Sequence, residues 1–459
     1  MKSVTRGTLF KSVLAGLLIG GTVLGSASGN VAKDPVRIDV RLDRPVLHAN
    51  QAGRVVVQIE VKPDEIDSEG QRTPVNLGLV LDRSSSMSGE KIVQAIEAAS
   101  LAVGQLGPND IVSVIVYDDT VDTIAPATKA TREQRLSIQR MLERIRAKGS
   151  TALYYGLTQA AGELRKFSKD GYVNRLVLLS DGLANVGPSA PSDFQRLATS
   201  LAAEDLIVST VGLGKNFNED VMTTLAAAGQ GNTYFVESAR DLPRIFEQEL
   251  GDVLSVAATD VEITIRSRDG VRVLRGIGRE ASIEDSRVAT VKMPQVYGGL
   301  NKLALIEVEV PAGEEGKRLE LVDVEVAYRL AGNENVIRQE VVVPVSFSAE
   351  EERVTSAVQT QVVTNVVENR LAESKMEAIK LADKGELGLA ASSLRVAVDE
   401  LTIEYEPYAA EDPVFEVGES VALEADRIEE DGFSNKMRKQ YRSESFQKVN
   451  QQSVQQAEK

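Results

Sequence analysis

Between residues 36 and 62 apolar and polar positions alternate, VRIDVRLDRPVLHANQAGRVVVQIEVK, with breaks at Pro and Gly. Period two with such breaks predicts two or three half-buried antiparallel strands. Residues 64–74, DEIDSEGQRTP, carry no pattern and read as a linker. At Val75 the period changes. VNLGLVLD, DIVSVIVYDD, RLVLLSD, LIVSTVGLG and NTYFVES are apolar runs of strand length, and VDTIAP reads as a short edge strand. Between them lie segments with apolar residues at helical spacing, the first presenting Ile92, Ala95, Ile96, Ala99 and Val103. REQRLSIQRMLERIRA (132–147), ALYYGLTQAAGELRKF, DFQRLATSLAAED, EDVMTTLAAAG and DLPRIFEQELGDVL are the other predicted helices. Strands alternating with helices predict an α/β fold, a doubly wound and mostly parallel sheet with crossover connections.

From about residue 255 period two returns in six runs, ending with VIRQEVVVPVSFS. These predict a β-sandwich, which the strands of 36–62 join, so that the α/β domain is an insertion within it. Residues 350–402 are helical in pattern, with a turn at Lys384-Gly385, and read as a helical cap over the β-domain; a single tetratricopeptide-type unit is the other reading. NKMRKQYRSESFQ, basic with two aromatics, reads as a short docking helix, and the polar end of the chain as disordered. The expected organisation is thus 1–29 signal peptide, 30–74 strands of the sandwich, 75–252 α/β domain, 253–348 sandwich, 349–446 helical region and 447–459 disordered tail.

The signal-peptide assignment rests on Lys2, Arg6 and Lys11 ahead of a short apolar stretch, Val13 to Leu24, and small residues at 25–29. It predicts an exported protein, periplasmic or extracellular and bacterial, with an uncleaved N-terminal anchor as the other reading. The chain has no cysteine, so it folds without disulfides. A formal net charge of −16 argues against a nucleic-acid partner. The only histidine, His48, falls in the β-domain, so no Ser–His or Cys–His pair is available to the α/β domain. No enzymatic activity is expected.

Chemistry concentrates at three places. Asp82 ends the apolar run LVLD, with Ser84 and Ser86 two and four residues on. Thr151 stands in GSTALYYGL just ahead of an amphipathic helix, and Asp181 ends the strand RLVLLSD. Strand ends of open α/β sheets are where ligands bind. Carboxylate and hydroxyl oxygens there suit Mg²⁺, Mn²⁺ or Ca²⁺ rather than zinc or copper. Ser88, ahead of Gly89-Glu90, reads as a helix-start residue, and Asp118 and Asp119 as turn formers.

In the order D-x-S-x-S…T…D, these residues resemble the von Willebrand factor type A domain with its metal-ion-dependent adhesion site. More broadly the chain resembles bacterial exported proteins of the inter-alpha-trypsin-inhibitor heavy chain or calcium-activated chloride channel-like type. The resemblance implies that Ser84, Ser86 and Thr151 bind the metal directly. Asp82 and Asp181 would act largely through water and orient the hydroxyls. A coordination position would stay open for an acidic residue of a partner protein. Ser85 departs from the family, which often has Gly there, and makes a positive φ less comfortable. The implied function is divalent-metal-dependent protein binding, as adhesion or scaffolding. The alternative is an assembly factor whose A domain works with a partner ATPase in a cell-envelope complex. In the family's best-known members ligand binding shifts the helix corresponding to Asp241–Leu254, so a fixed anchor and a two-state switch are both open readings of that segment.

Overall fold

The computed structural model describes residues 34–66, 72–168, 171–405 and 413–452. The expected signal peptide lies outside them. The chain begins with β1 (Val36–Leu42), β2 (Val46–His48) and β3 (Gly53–Pro63). The α/β part follows, from β4 (Val75–Asp82) and α1 (Glu90–Gln105) through β5 (Ile111–Tyr117), β6 (Val121–Lys129), α2 (Arg132–Leu142), α3 (Leu153–Leu164), β7 (Val173–Ser180), α4 (Pro191–Ala202), β8 (Ile207–Leu213), α5 (Glu219–Ala228) and β9 (Gln230–Val236) to α6 (Leu242–Leu254). Its sheet has the order β6-β5-β4-β7-β8-β9, parallel except for the β5–β6 pair. Helices cover both faces, which is why every residue of β4, β5, β7 and β8 is buried. Strand order reverses between β4 and β7, the topological switch point of such a sheet.

α6 leads directly into β10 (Val256–Ser267). Then come β11 (Arg272–Ile277), β12 (Ser282–Glu284), β13 (Val288–Tyr297), β14 (Lys302–Val310), β15 (Arg318–Leu330) and β16 (Val336–Ser348). They form two sheets, β1-β3-β14-β11 and β12-β13-β10-β15-β16-β2. Strands from both sides of the α/β insertion are hydrogen-bonded neighbours: β3 lies between β1 and β14, and β2 closes an edge beside β16. Alternate residues of the two sheets meet in one core, with Val55, Val57 and Ile59 from before the insertion packed among Ile263, Val291, Ile306 and Val324 from after it.

The chain ends in α7 (Glu351–Ser356), α8 (Thr360–Asp383), α9 (Leu387–Tyr405), α10 (Pro413–Asp431) and α11 (Asn435–Val449). The turn between α8 and α9 holds Gly385 at φ +81°. These helices share a core with Val56, Ile277 and Leu305 on the outer face of the smaller sheet, so they do cap the β-domain. The basic segment docks α11 onto the α/β part. Lys439 donates to Phe217 O at 2.7 Å and pairs with Glu219, while Arg442 pairs with Asp220 at 2.5 Å. Both acids lie in the first turn of α5, where the helix dipole already favours negative charge.

Two expectations need correction. The tail was expected to be disordered from residue 447, yet α11 continues to Val449 and residues 447–452 are ordered; 453–459 lie outside the described residues. Gln452 accepts from Thr233 N and donates to Thr233 O, both at 3.2 Å, and Gln447 donates to the same carbonyl. The outer side of β9 is a sheet edge with free backbone groups, and amide side chains satisfy it without any apolar pattern. The helix expected at 132–147 stops at Leu142. Beyond it Ile145 is buried, and Lys148 N donates to Arg83 O at 2.8 Å. Continuing the helix would carry residues 148–151 away from the end of β4.

Candidate metal centre

Asp82 and Asp181 stand on either side of the switch point, at the ends of β4 and β7, and neither is exposed to solvent. The Ser84 N–H donates to Asp82 Oδ1 at 2.7 Å, and Ser180 Oγ donates to Asp82 Oδ2 at 2.7 Å. Asp82 therefore fixes the loop that carries the two serines. Ser84 Oγ and Ser86 Oγ are 2.9 Å apart, and Ser86 Oγ donates to Asp181 Oδ1 at 2.6 Å.

Thr151 reaches the same rim on the segment released by the early end of α2. Ser85 N donates to Gly149 O at 3.0 Å, and Thr151 N donates to Asn185 Oδ1 at 2.8 Å. Gly149 has φ +72°, and a Cβ there would stand 2.7 Å from a carboxylate oxygen of Asp119. Gly149 thus combines a left-handed backbone with a close approach, and a larger residue would push Thr151 off the rim. A Cβ on Gly182 would lie 3.4 Å from both Ser86 Oγ and Thr151 Oγ1, so these hydroxyls border one small space over Gly182. All five residues singled out in the sequence come together here.

The sequence did not point to several neighbours. Lys91, on the first turn of α1, places its ammonium on Asp181 Oδ2. Arg83, buried between Asp82 and Ser84, donates to Asp118 Oδ2 at 2.8 Å and also pairs with Asp122. Asp118 in addition accepts from Thr120 N at 2.8 Å, the turn role expected of it. Ser88 Oγ donates to Ser85 O at 2.7 Å and closes a single 3-10 turn at 85–87. Ser85 has no positive φ; the left-handed residue of this loop is Gly89, at φ +81°. The departure at Ser85 is therefore harmless to the loop.

The donor set fits a hard cation. The hydroxyls of Ser86 and Thr151 border one space, Ser84 Oγ lies beside Ser86 Oγ, and Asp181, which accepts from Ser86, already has a positive group, the Lys91 ammonium, on its other oxygen. Hydroxyls do not neutralise an ion, so a divalent metal held by Ser84, Ser86 and Thr151 would keep its appetite for an anionic ligand. Burial, the largest influence, pushes the Asp82 carboxyl up from 3.8 to about 6, against the hydrogen bonds from Ser84 and Ser180. A raised carboxylate pKa means that the metal-free fold binds a proton that the unfolded chain releases between pH 4 and 6. Metal-free stability is thus expected to fall as pH rises through that window. Cation affinity should do the opposite and weaken as pH drops below 6, because protons compete for Asp82. Calorimetric Mn²⁺ titrations at pH 5 and 7.5, with thermal melts in EDTA at the same pH values, check both signs.

Residues 76–248 match the family model of the von Willebrand factor type A domain, and this part of the chain is a domain of that family. An uncharacterised Synechocystis protein, sll0103, is 28% identical over 232 residues, which cover 49% of this chain and 54% of that protein. The Escherichia coli protein YfbK is 25% identical over 230 residues, 50% of this chain and 40% of its own length. Inter-alpha-trypsin inhibitor heavy chain H3 of Rattus norvegicus is 27% identical over 199 residues, 41% of this chain and 22% of its own. The chain spans about half the length of these curated relatives or less. Among solved structures, a von Willebrand factor type A protein from Catenulispora acidiphila superposes with a TM-score of 0.63 at 18% identity, covering 82% of this chain and 88% of that one. The ArnB paralog VWA2 of Sulfolobus acidocaldarius does so with a TM-score of 0.57 at 18% identity, covering 92% and 100%. Both share the fold.

Proposed function

We propose that the protein binds a partner protein through a divalent cation, Mg²⁺, Mn²⁺ or Ca²⁺, in an adhesive or scaffolding role and without catalysis. Asp82, Ser84, Ser86, Thr151 and Asp181 hold the ion, and the ion takes a carboxylate from an acidic residue of the partner. The carrying observation is the hydrogen-bonded cluster from Asp82 through Ser84 and Ser86 to Asp181 at the switch point, with Thr151 beside it. A von Willebrand factor type A domain suggests a protein-interaction role, and the metal gives that role its chemistry. The test is affinity capture by the full chain from an envelope fraction. Partners should be retained in Mg²⁺, released by EDTA and absent with Asp82→Ala as bait. Retention of the same partners in EDTA would overturn the proposal.

Export belongs to the same reading, on the strength of residues 1–29. The native protein should show an N-terminus between Ser28 and Val31 by mass spectrometry. Recovery of the intact Met1 form from the cytosol alone would contradict it. Among the described residues no helix is long and apolar enough to cross a membrane.

A further inference from the structure

On the opposite side of the α/β domain from the candidate metal site, three parts of the chain border a half-open cavity of about 1240 Å³. Its walls come from α5 and the start of β9, from β13 and the starts of β12 and β14, and from α8 and α11. Pro294, Met376, Phe446 and Val449 supply half-buried apolar lining. Two cations line it as well, and neither has a carboxylate partner among the described residues. Lys302 is only 6% exposed, and its Nζ makes no hydrogen bond or ion pair there; it lies 4.7 Å above the Tyr297 ring. The Arg279 side chain donates one hydrogen bond, to Gln451 Oε1 at 3.3 Å, and its Nε is buried without a partner.

At the mouth Lys292 pairs with Glu262, Lys380 with Glu377 and Glu373 with Arg275, and the exposed Glu280 also lines it. Deeper in, Arg175 pairs with Glu249, whereas Lys302 and Arg279 are the cations without a carboxylate partner among the described residues. The charges acting on Lys302 are the guanidinia of Arg279 and Arg175 and the carboxylates of Asp252 and Glu249. Leaving a buried ammonium unpaired is costly. The cost shows in Lys302, which burial and then the neighbouring Arg279 push down to about 7.

We propose that this junction cavity is a binding site for a monoanionic amphiphile, an organic acid whose anionic head lies between Lys302 and Arg279 and whose apolar body lies along Met376 and Phe446. A concave, mainly apolar pocket with a few convergent polar groups is the usual form of a small-molecule site. The ligand would touch all three parts of the chain at once. Its occupancy would therefore favour the arrangement in which they are joined.

The probe is 1-anilinonaphthalene-8-sulfonate, a monoanion on an apolar body, titrated into the full chain by fluorescence and calorimetry. All titrations contain EDTA, which silences the metal site and keeps the two proposals separable. Saturable one-to-one binding is expected, weakened at least tenfold by Lys302→Met and by Arg279→Gln. N-phenyl-1-naphthylamine, which lacks the sulfonate, should bind at least tenfold more weakly than the anionic probe. Lys302→Met removes an unpaired buried charge and keeps the stem, so it should fold; Arg279→Gln, nearer the surface, is the independent check. Equal affinity in both variants, equal affinity for the neutral probe, or no saturable binding would each overturn the site.

Discussion

Asp82→Ala is expected to lower Mg²⁺ and Mn²⁺ affinity by about 100-fold, with little change in the stability of the metal-free protein. Asp82 is the anchor of the rim. It accepts the Ser84 N–H and the Ser180 hydroxyl, and without it the loop that presents Ser84 and Ser86 loses its side-chain tie to the end of β4. Groups that orient metal ligands typically cost about 10–100-fold in affinity when removed, and loss of a nearby negative charge adds to this. The effect on the fold is small because opposing terms cancel. Two hydrogen bonds to a charged acceptor are lost, each worth about 1.5–3 kcal/mol. Against that, the variant no longer buries a carboxylate, whose desolvation costs several kcal/mol. Calorimetry and thermal melts in EDTA measure the two halves separately. Unchanged affinity would remove Asp82, and with it this site, from the account.

Arg175→Met is expected to cost about 3–5 kcal/mol of stability, because it strands a buried carboxylate. Arg175 has no exposed surface, and its ion-pair partner Glu249, at 3.3 Å, is 1% exposed. The guanidinium also donates to Ser209 Oγ at 2.9 Å, Gln295 Oε1 at 2.6 Å and Tyr297 OH at 3.0 Å. It thus ties β7 and α6 of the α/β domain to β13 of the sandwich. Burial alone would weaken its charge, but Tyr297, Glu249 and Asp252 outweigh that and keep it protonated. Arg165→Met is the control. Arg165 pairs with Glu204 on the surface, where such a pair is worth about 0–1 kcal/mol. Urea denaturation of the two variants should separate them clearly. Equal losses would mean that the buried Arg175 cluster contributes no more to stability than a surface pair.

The same cluster bears on α6. Leu242, Ile245, Phe246 and Leu250 are buried against the sheet, and Leu254, at the same helical spacing, is half-buried beside them. Glu249 and Asp252 are buried too, with Asn232 Nδ2 donating to both at 2.8 and 3.3 Å. Moving this helix would mean breaking polar contacts as well as sliding an apolar stripe. The structure therefore weighs toward an anchored helix.

The change of hydrophobic period at Val75 and its return near 255 made the α/β sheet and the flanking strands legible, because both are governed by burial. Asp82, Ser84, Ser86, Thr151 and Asp181 were legible because each lies at or beside a strand or helix end that the pattern marks. Lys91, Arg83, Ser180 and Asn185 were not, since their contacts arise only when loops far apart in sequence converge. Arg175 looked like the polar start of a strand; its burial depends on a partner strand 120 residues on. The order of residues 447–452 was hidden for another reason: amide groups satisfying a sheet edge leave no apolar signature.

The central claim is that the rim between β4 and β7 holds a divalent ion. A crystal of the full chain soaked in Mn²⁺ and measured for anomalous scattering tests it directly. The account predicts one strong peak bordered by Ser84, Ser86, Thr151 and Asp181, with the Lys91 ammonium displaced from Asp181. No peak at that rim at saturating Mn²⁺, with Lys91 still seated on Asp181, would contradict it.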